Sequence, residues 1–145
     1  MIRTMNISDY EAVHRLWLSC PGMGLNTVDD SREGIQRFLL RNPDTCFVAE
    51  EEGLIVGAIM AGNDGRRGYI YHTAVSPSRQ KQGIGSQLVR AALSALQAAG
   101  ITKVALVAFK KNEAGNRFWE SQGFTCREDL FYRNKTLVEM TRIDT

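Results

Sequence analysis

The segment RQKQGIGSQLV (residues 79–89) places two glycines, Gly83 and Gly85, between two runs of different periodicity. The run before it, residues 69–75, is rich in aromatic and β-branched residues and predicts a strand. The run that follows repeats apolar residues at helical spacing and predicts a long helix from residue 84 onwards. A glycine-rich turn therefore joins a strand to the N-terminus of a helix.

A turn of this kind is a candidate anion site. The first amides of a helix have no partner within the helix, and the helix dipole adds partial positive charge at the same end. Arg79 and Lys81 add two full positive charges beside the glycines. The pattern indicates a phosphate-binding loop, although a plain strand-to-helix turn that needs flexible residues has the same composition.

The composition predicts one soluble globular domain over residues 1–145. Hydrophobic residues make up 43% and charged residues 23% of a chain long enough to bury a substantial core. A formal net charge of +2 without a basic block does not predict nucleic-acid binding. Because the sequence has no long apolar run, we expect no membrane span and no signal peptide, and we expect the protein to be cytoplasmic.

The cysteines and histidines predict reduced thiols rather than a metal site. Cys20, Cys46 and Cys126 are odd in number and widely spaced, and His14 and His72 do not lie at zinc-ligand spacing from them. We therefore expect no metal. The cysteines also show no histidine-based nucleophile arrangement, so we do not expect a covalent intermediate.

The periodicity and the turn residues predict seven strands and four helices. A first strand lies near residues 1–5, and Ser8 with Glu11 has the spacing of a capping box at the start of the first helix. The run KVALVAF (residues 103–109) has the apolar character of a buried strand. The remaining elements are a helix at residues 31–41, strands at 45–50, 54–61 and 69–75, a long helix ending at Gly100, a helix at 113–121, and strands at 124–132 and 136–142.

This order predicts an α/β fold with a mixed (α+β) sheet. A meander of three strands leads into a strand–helix–strand crossover, which needs parallel strands and puts helices on both faces of the sheet. The crossover helix runs from the glycine turn back to the strand at residues 103–109. The amides of the turn should therefore lie at the end of strand 69–75 and face whatever lies between the two strands.

Two familiar phosphate loops do not match the turn. The pattern G-x-x-x-x-G-K-[ST] is absent, and G-x-G-x-x-G fails because Leu88 stands where the third glycine belongs. A third pattern does match, since V-x-P-x-x-Q-x-x-G-x-G runs from Val75 to Gly85. It resembles the coenzyme A signature of the GNAT superfamily of N-acetyltransferases.

A second motif supports this resemblance. The run NEAGNRFWESQGF is similar to the family's N-x-x-A-x-x-x-Y-x-x-x-G-F pattern, with Asn112, Trp119, Gly123 and Phe124 at the Asn, Tyr, Gly and Phe positions. The two motifs have the right separation and lie within a matching order of elements across nearly the whole chain. On these residues the chain is identified as a member of the superfamily.

The resemblance implies a β-α-α-β-β-β-α-β-α-β-β fold whose central mixed sheet splays between its fourth and fifth strands. It implies an N-acetyltransferase that moves an acetyl group from acetyl-CoA to a primary amine by direct transfer in a ternary complex. The amine belongs to a small molecule, a protein N-terminus or a lysine. A domain that binds acetyl-CoA as a sensor or partner subunit without turnover is the alternative, and a homodimer is a further expectation.

The resemblance also implies which residues bind coenzyme A. The amides from Lys81 to Ser86 would wrap the pyrophosphate, and Gln80 would add a neutral donor. The peptide-like pantetheine arm would pair with strand 69–75 and be held from its other side by Asn112, which is equally placed to be a simple helix cap. The full set is Ala74, Val75, Gln80, Lys81, Gln82, Gly83, Ile84, Gly85, Ser86, Asn112, Asn116 and Trp119.

The catalytic positions depart from the family's pattern. Trp119 stands where the family has the tyrosine that protonates the leaving thiolate; an indole N–H only donates, so Trp119 either hydrogen-bonds the developing charge or packs the core. Tyr69 and Val107 occupy the positions of the usual glutamate base. His72 is a candidate proton relay, with a structurally satisfied, half-buried histidine as the alternative, and Tyr132 is a candidate acid.

Two further expectations concern the acceptor side. The first two helices and the loop CPGMGLN (residues 20–26) should form the acceptor pocket, because that segment covers the acceptor side in the family. Strand alternation should place His72 on the sheet face opposite Tyr71 and Thr73. The identity of the acceptor amine is not legible in these residues.

Overall fold

The computed structural model describes residues 1–143, which form a five-stranded sheet and four helices. Short 3-10 turns lie at Ile7–Asp9 and Pro77–Arg79. Within the described part of the chain, no helix is long and apolar enough to cross a membrane. The strands are β1 (Ile2–Thr4), β2 (Phe47–Glu51), β3 (Leu54–Asn63), β4 (Gly68–Val75) and β5 (Val104–Leu106), and the helices are α1 (Tyr10–Leu18), α2 (Arg32–Arg41), α3 (Ile84–Ala98) and α4 (Glu113–Ser121).

The sheet has the order β1-β2-β3-β4-β5. The first four strands pair antiparallel, and β4 pairs parallel with β5 across the α3 crossover. Helices α1 and α2 cover one face with a core that includes Trp17 and Ile35, and α3 covers the other face through Leu88 and Leu96. The predicted mixed sheet with helices on both faces is confirmed.

Most predicted helix and strand boundaries are confirmed. Helix α2 begins after Ser31, whose hydroxyl accepts a hydrogen bond from the Gly34 amide at 3.0 Å, and it ends at Asn42 before a proline. Helix α4 begins after Asn112, and its carboxamide oxygen caps the Gly115 amide at 3.0 Å. These boundaries depend on residues adjacent in sequence, which explains why the pattern predicts them.

The predicted capping box of Ser8 and Glu11 is wrong. The reciprocal cap is formed two residues earlier by Asn6 and Asp9, at the 3-10 turn that precedes α1. The guanidinium of Arg3 binds the Asp9 carboxylate through two hydrogen bonds of 2.8 and 2.9 Å and lowers its pKa. This ion pair from β1 fixes Asp9 at the cap, and it is not visible in the local spacing of Ser8.

The two predicted C-terminal strands, at residues 124–132 and 136–142, are also wrong. Residues 125–143, which we call the C-terminal segment, contain only an isolated bridge between Arg142 and Asn26. The segment is fastened at its end, where the Thr27 amide donates to Thr141 and the Ile143 amide donates to Leu25, both at 2.9 Å. A strand needs an edge to pair with, and this segment pairs with a loop rather than with β5.

Strand β5 is shorter and less buried than predicted for residues 103–109. It covers only Val104–Leu106, and its three residues are partly or fully exposed. Val107 just beyond it is 56% exposed. Because β5 has no second neighbour in the sheet formed by residues 1–143, its outer side stays open.

The predicted separation of the fourth and fifth strands is confirmed. Strand β4 pairs with β5 only from Gly68–Val104 to Ile70–Leu106. Residues 71–75 of β4 continue without a β5 partner, so the two strands diverge into a V-shaped gap. We call this the β4–β5 gap, and its open end lies beside the glycine turn that leads into α3.

A β-bulge lies in β4 where the gap begins. Ile70 pairs with Ala61 and Thr73 pairs with Ile59, which leaves Tyr71 and His72 together opposite Met60. The predicted alternation of Tyr71 and His72 is therefore wrong. The bulge turns both side chains toward the layer of α1 and α2, where the Tyr71 ring lies 5.5 Å from that of Phe38 and the His72 ring 4.9 Å from that of Trp17.

Candidate active site

The glycine turn presents a row of unused amides at the open end of the gap. Lys81 and Gly83 have φ of 63° and 84°, so the backbone alternates between left-handed and right-handed conformations and forms a concave nest. No hydrogen bond within residues 1–143 uses the amides of residues 81–86. These amides and the N-terminus of the long helix α3 make a site for a phosphate group.

Packing against α4 holds this turn in place. A Cβ atom at Gly85 would lie 3.2 Å from the Phe118 ring, so glycine allows the first turn of α3 to approach α4 closely. The Gln122 side chain donates a hydrogen bond to the Ser86 hydroxyl at 2.9 Å. Arg79 is turned away from the amides, because it forms an ion pair of 2.8 Å with Glu51.

Two grooves lie along α3. The first, of about 300 Å³, begins at Ser86 and Gln122 beside the glycine turn and continues past Arg90. The second, of about 420 Å³, lies at the opposite end of α3, against residues 41–45. Only the first adjoins the amides that the coenzyme A signature points to.

The loop of residues 20–26 bridges the β4–β5 gap on the side of α1 and α2. The Cys20 thiol lies 3.5 Å from the carbonyl oxygen of Val75 at the end of β4. At the other side of the gap, a Cβ atom on Gly24 would lie 3.5 Å from the ring of Phe109, which follows β5. The loop therefore covers the gap where the sequence predicts part of the acceptor pocket.

The predicted pantetheine contacts line this gap. Ala74 is buried, and the Val75 carbonyl also accepts a hydrogen bond of 3.1 Å from Gln80. Asn112 caps α4 through its oxygen, while its Nδ2 has no hydrogen-bond partner among residues 1–143. Asn116 is committed to the backbone, because its Nδ2 donates to Phe109 and Asn112.

Trp119 is part of an aromatic group on α4. Its ring lies 5.0 Å from that of Phe118 and 5.3 Å from that of Phe124, nearly perpendicular to both. The three rings pack against the core on the α3 face of the sheet. These ring contacts are typical of a residue that packs in a hydrophobic core, and the catalytic role of Trp119 stays a prediction.

His72 is held by an aspartate that the sequence analysis did not single out. The Asp30 carboxylate lies 2.7 Å from His72 Nε2, and both side chains are largely buried. A second oxygen of Asp30 accepts the Asn26 amide at 2.9 Å, which fixes its orientation. Because the carboxylate is an acceptor, it assigns the imidazole proton to Nε2 and leaves Nδ1 as the lone-pair nitrogen.

Tyr132 lies with two tyrosines of β4. Burial raises the pKa of Tyr69 to about 12, and the nearby Tyr132 and Tyr71 add to this electrostatically. The Tyr69 and Tyr71 rings are 4.6 Å apart. The structure thus brings Tyr132 near the tyrosines of β4 at the start of the gap, and it places Trp119 in the layer on the opposite face of the sheet.

No local pattern in the sequence predicts the contact between Asp30 and His72. Asp30 is 42 residues from His72 in the chain, and it sits directly before the helix cap Ser31, where an acidic residue is commonplace. The bulge that turns Tyr71 and His72 to one side has no glycine or proline to mark it. The contact between Asp30 and His72 becomes visible only in the folded structure, where the pairing of β3 with β4 creates the bulge.

Comparisons with known proteins agree with this geometry. The sequence profile of the Acetyltransferase (GNAT) family matches residues 10–124. An acetyltransferase of Photorhabdus laumondii is 37% identical over 140 residues, which cover 95% of this chain and 96% of that protein.

Two solved structures are similar in fold. An N-acetyltransferase of Thermoplasma acidophilum, solved in complex with coenzyme A, superposes with a TM-score of 0.74 at 16% identity, over 88% of this chain and 91% of that one. An aminoglycoside acetyltransferase from an uncultured soil sample, solved with sisomicin, superposes with a TM-score of 0.72 at 25% identity, over 95% and 96% of the two chains. The match over most of its length shows that this chain belongs to the GNAT family of acetyltransferases.

Proposed function

We propose that residues 1–145 form one acetyl-CoA-dependent N-acetyltransferase domain that acetylates a primary amine by direct transfer. The observation that carries this proposal is the β4–β5 gap. Its open end has the unused amides of residues 81–86, and its closed end adjoins the Asp30–His72 pair. Acetyl transfer from acetyl-CoA to an amine needs a site that binds the phosphates of the donor and a group that accepts the proton of the amine.

The residues present fit coenzyme A. The nest and the N-terminus of α3 suit its diphosphate, and the edge of residues 71–74, which has no β5 partner, offers backbone groups to its amide-containing arm. Asn112, whose Nδ2 is not used within residues 1–143, is the proposed further donor to this arm. When bound, acetyl-CoA supplies the acetyl thioester.

In the proposed reaction, the amine nitrogen attacks the thioester carbonyl carbon and the carbon–sulfur bond breaks. The acceptor arrives as an ammonium ion and must first lose a proton, for which His72 Nδ1 is the candidate base. Asp30 keeps the lone pair on that nitrogen. Attack gives a tetrahedral intermediate whose nitrogen loses a second proton, to water, as the intermediate collapses. The sulfur leaves as a thiolate and takes up a proton from water or from Tyr132.

Direct transfer is supported by the state of the cysteines. Cys20 is the cysteine that contacts the gap, and burial raises the pKa of its thiol. Burial raises the pKa of Cys46 to about 12. A nucleophilic cysteine has to be a thiolate, and neither environment favours one.

All three cysteines are unpaired, which supports the expectation of a reducing, cytoplasmic location.

The proposal is tested by the release of coenzyme A thiol from acetyl-CoA. The acceptors are an alkylamine, a peptide with a free N-terminus, a lysine peptide and an aminoglycoside, the last because a structural neighbour was solved with one. We expect thiol release that needs an amine, and a product heavier by one acetyl group.

The alternative is a domain that binds acetyl-CoA without turnover, which the placement of Trp119 in an aromatic packing group favours. Tight binding of acetyl-CoA with no thiol release for any acceptor, and turnover gained only in the Trp119→Tyr variant, would establish that alternative. The homodimer also stays a prediction, and sedimentation measures it.

A further inference from the structure

Four aromatic side chains gather at the closed end of the gap, on the side of α1 and α2. We call Phe38, Tyr69, Tyr71 and Tyr132 the aromatic cluster. The Tyr71 ring lies 4.6 Å from that of Tyr69 and 5.5 Å from that of Phe38, and Tyr132 is close enough to act electrostatically on both Tyr69 and Tyr71. Tyr71 is 49% and Tyr132 67% exposed, so the cluster has a face open to a ligand.

The fold builds this cluster from three separate segments. A Cβ atom on Gly62, which pairs with Tyr69, would lie 2.7 Å from the Phe38 ring, so glycine at this position of β3 makes room for that ring. The bulge turns Tyr71 toward Phe38, and the C-terminal segment brings Tyr132. The arrangement is therefore specific, because it depends on three separate features: the room left by Gly62, the bulge in β4 and the path of the C-terminal segment.

The cluster lies beside an unpaired carboxylate. Asp29 is exposed and directly precedes Asp30, whose carboxylate lies 2.7 Å from His72, the residue after Tyr71. Burial is the main cause that raises the pKa of Tyr71, and Asp29 adds to it electrostatically. Within residues 1–143, Asp29 accepts a hydrogen bond from Asn26 but forms no ion pair. Aromatic faces and a carboxylate both attract positive charge, so the surface is complementary to a cation.

The protein's own cations do not fill this surface. In the described part of the chain, the lysine and arginine groups that stack on aromatic rings do so at Phe109 and Phe131. None of them stacks on the aromatic cluster. The open ring faces and the unpaired Asp29 are therefore left for a cation from outside.

The cluster is adjacent to the candidate base. Tyr71 and His72 are consecutive residues turned to the same layer by the bulge, and Asp29 and Asp30 are the consecutive residues that face them. A molecule held by the cluster would thus have a neighbouring group within reach of His72. This adjacency links the cluster to the acceptor rather than to acetyl-CoA.

We propose that the aromatic cluster and Asp29 bind a second amino group of the acceptor in its protonated, positively charged form, so that the preferred substrates are diamines, polyamines or polyamino sugars. This inference rests on the proposed N-acetyltransferase function. The bound charge cannot be the reacting amine, because a surface that stabilises an ammonium ion opposes the loss of its proton. The reacting amine must be neutral and is placed at His72.

The test compares two acceptors that differ in one group, 1,4-diaminobutane and 4-amino-1-butanol. For each protein, kcat/KM is measured by thiol release and expressed as the ratio of the diamine to the amino alcohol. The change of this ratio between native and variant protein cancels the intrinsic reactivity of the two amines. It therefore reports only what the protein contributes to binding the second charge.

We expect Tyr71→Leu and Asp29→Asn each to lower this ratio by about three- to tenfold, the size of a partly exposed cation–π or ion contact. Tyr71→Phe keeps an aromatic face and should stay within about twofold of the native ratio, since the interaction uses the ring rather than the hydroxyl. Thermal unfolding checks that each variant is folded.

Matched controls come from outside the cluster. Phe131→Ala removes an exposed ring next to Tyr132 in sequence, and Glu120→Gln removes an exposed carboxylate on α4. Neither should change the ratio. A ratio that is the same in native protein, Tyr71→Leu and Asp29→Asn would overturn the inference while thiol release continues. Absence of thiol release with every amine would instead overturn the proposed function on which it rests.

Discussion

The two sides of the β4–β5 gap are built in different ways. On the side that we propose for the donor, called the donor side below, the backbone amides of residues 81–86 are presented by a turn whose shape is set by the positive φ of Lys81 and Gly83. On the acceptor side, side chains converge from positions far apart in the chain, such as Asp30 from the loop before α2 and His72 from the bulge in β4.

This difference has consequences for what mutation can change. Backbone amides are common to nearly all residues, so the donor side is sensitive to backbone conformation and insensitive to most side-chain identities. The acceptor side consists of individual side chains, so each can be replaced without altering the turn. The donor specificity should therefore be robust, and the acceptor specificity should be easy to change.

The largest effect is expected for His72 on the acceptor side. His72→Gln removes the candidate base, and a positioned acid or base contributes about 10²–10⁴-fold to a rate. We expect kcat for thiol release to fall within that range, with little change in the affinity for acetyl-CoA. His14→Gln is the matched control, because His14 packs near the same Trp17 ring without contacting Asp30.

Two outcomes would break this assignment. Equal kcat values for the native protein and His72→Gln would remove His72 from the chemistry. A parallel loss of acetyl-CoA affinity would indicate that His72 supports the structure of the gap instead.

A smaller effect is expected on the donor side for Gly83→Val. Valine disfavours the φ of 84° found there, so the turn must shift and its amides no longer converge. We expect the dissociation constant for acetyl-CoA, measured by calorimetry, to rise by about tenfold or more, in line with a left-handed strain of about 1–2 kcal/mol.

Gly53→Val separates this effect from general strain. Gly53 has a φ of 78° in the β2–β3 turn, and a Cβ there, as at Gly83, would meet nothing within 4 Å. Both variants should lose similar stability, and only Gly83→Val should lose acetyl-CoA affinity. Equal affinities of the two variants for acetyl-CoA would show that the turn does not bind the donor.

Trp119 should have a modest effect, because it packs between two phenylalanine rings. Trp119→Phe keeps an aromatic ring and loses at most one hydrogen bond, worth about 1 kcal/mol. We expect the rate of thiol release to fall by less than about tenfold across neutral pH. A loss of several hundredfold would instead assign Trp119 an essential part in departure of the thiolate.

The smallest effect concerns pH, which acts on the acceptor side alone. The pKa of Tyr69 is raised from 10.0 to about 12 in the folded protein. The neutral phenol thus contributes stability that is complete below pH 10 and is lost as the pH rises through about 12. The free energy of unfolding of the native protein, relative to Tyr69→Phe, should fall over this interval.

A difference between the two proteins that stays constant from pH 9 to pH 12 would contradict the burial of Tyr69. Backbone amides do not titrate in this pH range, so the glycine turn does not contribute to the pH dependence of the free energy of unfolding. Chemical denaturation at each pH measures the difference.

The same contrast explains what the sequence could predict. The glycine turn, the bounds of the second helix and the cap at Asn112 follow from residues close together in sequence. The divergence of β4 from β5 is expected from the family resemblance rather than from a local pattern. The Asp30–His72 pair depends on a contact over 42 residues and on the bulge, neither of which has a local pattern.

The errors have the same origin. The cap of the first helix moved to Asn6 and Asp9 because Arg3 binds Asp9 from another element. The C-terminal segment has strand-like residues, but it pairs with residues 25–27 instead of extending the sheet. Local propensity predicts an element only where the tertiary structure supplies a partner for it.

The most direct test of the central claim is whether donor and acceptor are held in the gap at the same time. Initial rates of thiol release are measured while acetyl-CoA and one amine are varied, and the protein is weighed by mass spectrometry after incubation with acetyl-CoA alone. Direct transfer predicts intersecting double-reciprocal lines and no acetylated protein. Parallel lines together with an acetyl group on Cys20, the cysteine 3.5 Å from the Val75 carbonyl, would contradict it.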